Sequence, residues 1–153
     1  MNEQTITTCK HFNELTTKEL YEIIQLRIEV FIVEQNCPYQ DTDSKDLQSW
    51  HLMIYNQENK LIAYSRLLPE GVSYKGYASV GRVVSSPSVR KTGIGKLLMA
   101  KSLEQIKLLF GNTPVKISAQ SWLKKFYSSF GFQARGEEYL EDGIPHTQMA
   151  LEV

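Results

Sequence analysis

This chain lacks an excess of charge of either sign. Seventeen lysines and arginines balance seventeen aspartates and glutamates over 153 residues. That removes any global electrostatic case for nucleic acid or an anionic membrane, and we expect neither as a partner. Cysteine is scarce: only Cys9 and Cys37 occur, neither in a CxxC pair, and no His/Cys cluster has zinc-ligand spacing. We therefore expect two reduced thiols, no metal and a cytoplasmic protein. No apolar run approaches the ~20 residues needed to span a bilayer. MNEQTITTCKHFNEL has no apolar core, so no signal peptide is expected. Internal repeats and low-complexity linkers are also missing. The expectation is one domain over residues 1–153, with 42% hydrophobic residues to fill its core.

What is present alternates in type. Ile6 to Phe12 reads as a short strand. Thr16 and Glu19 have capping-box spacing, and Leu20, Ile23, Ile24, Ile28 and Phe31 follow at helical spacing, which predicts a helix from Thr17 to about Val33. NCPYQDTDSKD, residues 36–46, reads as a polar, solvated loop. WHLMIY (50–55), LIAYSRLL (61–68) and YASVGRVVS (77–85) read as strands, with Gly81 marking a bulge or a close backbone approach. A helix from Ile94 stops at Gly111 and Pro114, followed by strand VKISA (115–119) and a short helix, SWLKKFYSSF (121–130). Phe132–Arg135 and Thr147–Leu151 read as closing strands around an acidic loop, EEYLEDGIPH. These elements predict one α/β (α+β) domain.

The chemistry concentrates in VRKTGIGKLL, residues 89–98. The first N–H groups of a helix lack intrahelical partners and carry partial positive charge. A strand, a loop with Gly93 and Gly95, and a helix make a competent phosphate site, with Arg90, Lys91 and Lys96 adding charge. The alternative is a helix that uses its glycines only for turning and packing. A P-loop is excluded because Leu97 follows Gly95-Lys96 and Arg90 stands where the motif needs glycine. A dinucleotide fingerprint is excluded because position 98 is Leu.

Arg90-Lys91-Thr92-Gly93-Ile94-Gly95 resembles the Arg/Gln-x-x-Gly-x-Gly/Ala signature of the GNAT superfamily of N-acetyltransferases. FYSSFGF (126–132) resembles the family's second signature. LRIEVFIVEQNCPYQDTDSKD, WHLMIY, VGRVVSS and EDGIPHTQMA are similar to the ElaA subgroup, so the resemblance covers nearly the whole chain. It implies a mixed, mostly antiparallel central sheet flanked by helices and splayed between VGRVVS and VKISA. It also implies acetyl-CoA as co-substrate and direct acetyl transfer to a primary amine, on a small molecule or a peptide. Dimerisation is common in the family, so a homodimer is compatible with it.

By this resemblance, Val83, Val84 and Ser85 hold the pantetheine arm. Amides of Arg90, Lys91, Thr92, Gly93, Ile94, Gly95 and Lys96 hold the pyrophosphate. Tyr127 is the general-acid candidate for the leaving thiolate; its alternative role is a core aromatic beside Phe126, Phe130 and Phe132. Glu34 is a candidate to bind the ammonium or relay its proton, or else a solvated helix-end acid. His146, in DGIPH, is a further catalytic candidate, or else a loop histidine bonded to backbone. Gln120 is a substrate-binding candidate. Asp41, Asp43 and Asp46 could rim the site for a cationic amine, but a solvated loop fits them better. His51 reads as structural, and no role falls to His11. Two rivals remain at this stage: a non-catalytic CoA-binding module and an interaction domain that binds no CoA.

Overall fold

The computed structural model describes residues 4–153. Among the described residues, seven strands form two antiparallel sheets. The first is built from β1 (Ile6–His11), β2 (Trp50–Tyr55), β3 (Leu61–Leu68) and β4 (Ser79–Ser85), in that order. The second has the order β5 (Val115–Gln120), β7 (Ile144–Leu151), β6 (Gln133–Glu141). Helix α1 (Thr17–Arg27) packs on one face of the first sheet, where Ile23 and Leu26 meet Met53 and Tyr64. Helix α2 (Ile94–Phe110) fills the other face through Ile94, Leu98, Met99 and Ile106. β3 is buried along its whole length between them, which is why LIAYSRLL reads as a near-continuous apolar run. Helix α3 (Lys124–Ser128) is a short turn after β5.

The capping box at the start of α1 forms as predicted, with Glu19 N–H on Thr16 Oγ1 and Thr16 N–H on Glu19 Oε1. The expected single helix to Val33 does not hold. From Ile28 to Glu34 the backbone widens into a π-helical segment, with Gln35 N–H bonding Val30 O and Cys37 N–H bonding Ile32 O. The expected helix over 121–130 is likewise split, into a 3₁₀ turn (Ser121–Leu123) and α3.

A larger correction concerns the acidic stretch 137–146. It is no loop: β6 and β7 run on as a long hairpin, turning at Asp142-Gly143, both with positive φ (52° and 77°). Asp-Gly is the favoured pair for such a tight turn.

The two sheets barely touch. Ala78 bridges to Val115 in parallel, with Ala78 N–H on Pro114 O and Lys116 N–H on Ala78 O at 2.9 Å each. Beyond that bridge β4 pairs only with β3 and β5 only with β7. The facing edges of β4 and β5 diverge and leave a cleft between them.

Candidate active site

The cleft has a volume of about 750 Å³. One wall is β4 from Val80 to Ser85, the other is β5 at Ile117, Ser118 and Gln120. The π-helical segment closes one side through Val30, Phe31 and Glu34, and Tyr127 and Phe126 of α3 form the inner end. Of the candidate residues, Val83, Val84, Ser85, Arg90, Gly95, Gln120, Tyr127, Glu34 and His146 all line it. Lys91, Thr92 and Gly93 form the turn before α2, and Ile94 and Lys96 belong to its first turn; none of the five lines the cleft, and Ile94 packs in the core.

Strand β4 is bulged where it borders the cleft. Tyr64 pairs with Val84 but Arg66 pairs with Gly81, so Arg82 and Val83 together face Ser65. The left-handed residue is Arg82 (φ 49°), not Gly81. The bulge turns the β4 backbone out of the ladder and toward the cleft.

The glycine turn has the conformation an anion cradle needs. Lys91 (φ 64°) and Gly93 (φ 89°) are both left-handed. Among the described residues, the backbone N–H groups from Arg90 to Lys96 form no hydrogen bond; the first intrahelical bond of this turn is Leu97 N–H on Gly93 O. These unbonded amides lie at the positive end of α2. A Cβ on Gly95 would rest 3.8 Å from the Phe126 ring, an ordinary contact.

Tyr127 takes the packing role and also borders the cleft. Its ring packs edge-on against Phe126 and Phe132 in the core. The residue lines the cleft, and among the described residues its hydroxyl has no hydrogen-bond partner. Burial pushes that hydroxyl up to about 12, so it keeps its proton at neutral pH.

Glu34 does not stand free. Both its oxygens receive the Arg90 guanidinium at 2.5 Å. The hydrogen bonds and charge of Arg90 hold its carboxyl below the usual carboxylate range. A carboxylate held this way is a poor base, and the Arg90 side chain is committed to it.

His146 is not a loop residue. It lies within β7, opposite Gln120 on β5 and Tyr139 on β6. Its Nδ1 bonds Ile144 O at 2.7 Å and its Nε2 is 3.5 Å from Glu141 Oε2. Gln120 accepts from Trp122 Nε1 at 2.7 Å, and Trp122 stands exposed at the mouth.

The aspartates of the 36–46 stretch overturn the solvated-loop expectation. Arg27, wholly buried, binds Asp41 and Asp46; Arg66 binds Asp43 and Asp46; Arg82 lies against Asp41 and Asp43. Three arginines meet three aspartates, so the cluster is internally neutral. Asp41 and Asp46 are buried and do not rim the cleft for an amine. The network instead straps residues 36–46 to the bulge at Arg82. His51 is structural, as expected: Nδ1 meets the Tyr64 hydroxyl at 2.7 Å and Nε2 meets Asp46 O at 3.0 Å, and burial lowers its affinity for a proton.

A model of the acetyltransferase (GNAT) domain matches residues 14–153. This chain belongs to the GNAT acetyltransferase family. ElaA of Escherichia coli is 44% identical over 144 residues, covering 94% of each chain. A UPF0039 protein of Schizosaccharomyces pombe is 45% identical over 145 residues, covering 94% of this chain and 95% of that protein. The crystal structure of E. coli ElaA superposes with a TM-score of 0.90 at 40% identity, over 97% of this chain and all of that one. That of an acyl-CoA N-acyltransferase from Pseudomonas aeruginosa also gives 0.90, at 47% identity over 97% and 99% of the two chains. The GNAT fold and the ElaA likeness expected from the sequence are both confirmed.

Sequence reasoning missed Ser118, Glu141 and Arg82 in the cleft wall. Glu141 was reachable: the Asp-Gly turn in EDGIPH sets a hairpin register that puts Glu141 opposite Ile144. Arg82 carries no comparable signal, since arginine seldom adopts positive φ.

Proposed function

We propose that this GNAT protein transfers an acetyl group from acetyl-CoA to a primary amine by direct attack, without a covalent acyl-enzyme. The observation that carries this reading is the row of unbonded amides from Arg90 to Lys96 at the start of α2, of which Arg90 and Gly95 line the same cleft as Tyr127. Those residues fit the co-substrate: a run of unbonded N–H donors for a pyrophosphate and open strand edges for an extended arm. Acetyl-CoA, when bound, supplies the activated acyl group. Amides of residues 90–96 hold the anionic end. Edge groups of β4 at Val83, Val84 and Ser85 orient the arm. The Tyr127 hydroxyl donates its proton to the leaving sulfur. His146 and Gln120 stand on the opposite wall, where the amine enters. The free thiols Cys9 and Cys37 suit a reducing compartment, and we assign the protein to the cytoplasm.

Isothermal titration with acetyl-CoA, followed by thiol release across a panel of primary amines, tests this. The reading requires saturable binding and thiol release with at least one amine. Absence of binding at millimolar acetyl-CoA removes it. Binding without release from any amine replaces it with a CoA-binding module.

A further inference from the structure

The wall opposite the amide cradle carries a polar cluster. Ser118 and Gln120 on β5, His146 on β7, and Tyr139 and Glu141 on β6 share one face of the second sheet, by strand alternation and register. Ser118 Oγ bonds the Tyr139 hydroxyl and lies 3.2 Å from Glu141 Oε1. The His146 ring stacks on Tyr139. Ser118, Gln120, Glu141 and His146 all reach the cleft.

The hydrogen bonding in this cluster is incomplete in an informative way. A carbonyl oxygen only accepts, so the 2.7 Å contact to Ile144 O puts a proton on His146 Nδ1. In the neutral ring Nε2 is then a lone pair, and it faces the Glu141 carboxylate at 3.5 Å. Two acceptors confront each other with no protein donor between them. Two other charged groups of the cleft are paired: Glu34 holds Arg90, and Arg82 is held by Asp41 and Asp43, while Asp142, beside Glu141, adds a second carboxylate with no ion pair among the described residues. Among the described residues Glu141 has no lysine or arginine partner, and its side chain is 47% exposed.

We propose that Glu141 and His146 form the acceptor's ammonium subsite, and that His146 Nε2 takes the proton that frees the amine. The inference rests on the acetyltransferase reading above. One nitrogen can reach two acceptors 3.5 Å apart at ~2.9 Å each. A primary ammonium brings three donors and a positive charge, filling both lone pairs. The step balances: one N–H bond of R–NH₃⁺ breaks, an N–H bond forms on Nε2, and the lone pair left on R–NH₂ becomes the nucleophile. The resulting imidazolium has both donors satisfied, Nδ1–H by Ile144 O and Nε2–H by Glu141. A secondary amide, an alcohol or a carboxylate-headed acceptor offers no such match, so the substrate class is a cationic amine with at least two N–H donors, the primary ammonium of the proposed function among them.

The test uses the intact protein and n-butylammonium as probe, with n-butanol as its neutral isostere. The ring Cε1–H signals of only three histidines need assignment, and His146→Gln identifies the relevant one. Butylammonium should move the His146 signal saturably, butanol should not, and Glu141→Gln should weaken the ammonium response about 10–100-fold. With an acceptor from the amine panel, Glu141→Gln should raise KM for the amine by a similar factor and leave KM for acetyl-CoA unchanged. Equal responses to both probes, or an ammonium response untouched in Glu141→Gln, overturns the subsite. Failure of the whole panel to turn over defeats the acetyltransferase reading, while the binding experiment still decides the subsite.

Discussion

Tyr127 packs in the core and is also the proposed acid, so one residue carries two separable roles. Its ring is part of the core and the residue borders the cleft. Removing the hydroxyl therefore separates the two roles. Tyr127→Phe should unfold with unchanged stability and bind acetyl-CoA nearly as well as wild type. Its turnover should fall by about 10–10³-fold. Steady-state thiol release alongside calorimetric binding checks this, and an unchanged rate would remove the hydroxyl from the mechanism. The two glycines of the turn divide in a comparable way. Gly93 has φ 89°, so Gly93→Ala should cost about 1–2 kcal/mol in urea unfolding and weaken acetyl-CoA binding as the amides lose their aim. Gly95 has no positive φ and space beside Phe126, so Gly95→Ala should fold as well as wild type or gain up to about 1 kcal/mol.

Among the elements, the strap at 36–46 shows where sequence reading stopped. Strands β2 and β3 and helix α2 were legible because each buries a periodic apolar face. The Asp41, Asp43 and Asp46 run was not, because a charged stretch reads as solvent-facing until its counter-charges are seen. Those counter-charges sit on α1, β3 and β4, far away in sequence. Burial raises the carboxyl of Asp46, but the Arg27 and Arg66 guanidiniums outweigh it and hold it below its ordinary value. Asp43 is held low in the same way by Arg66 and Arg82. A depressed carboxyl contributes stability that is present above the unfolded value near ~4 and lost as pH falls through the folded one. The unfolding free energy should thus decline below about pH 4. Asp46→Asn should cost about 3–5 kcal/mol at pH 7, by stranding buried arginine charge, and should flatten that decline. Urea unfolding at pH 7 and at a series of acid pH values measures both; a variant as stable as wild type at pH 7 would show that the network is not holding the strap.

At the scale of the whole molecule, the decisive feature is a join left almost unmade. Among the described residues, two sheets that could have been one continuous surface share one bridge, at Ala78 and Val115, and the open edges of β4 and β5 face each other across the cleft. Unpaired strand edges invite an added strand. In a monomer that invitation is a hazard; under the proposed function an extended ligand arm would complete hydrogen bonds that the protein leaves open. The sequence held half of this, since the two motifs flanking the cleft could be recognised and the splay inferred only by resemblance. If acetyl-CoA fills the cleft, it should slow amide exchange at both Val80–Ser85 and Ile117–Gln120, and in the 90–96 turn, while leaving β1 and the β6 edge unaffected. Saturation at 100 times Kd should also stabilise the fold by about 2.7 kcal/mol, a rise in Tm of roughly 5–11 °C. Hydrogen exchange read peptide by peptide separates this from a general tightening. Protection confined to the 90–96 turn, with both strand edges exchanging as before, would mean that the anion cradle binds but the open join does not take the arm.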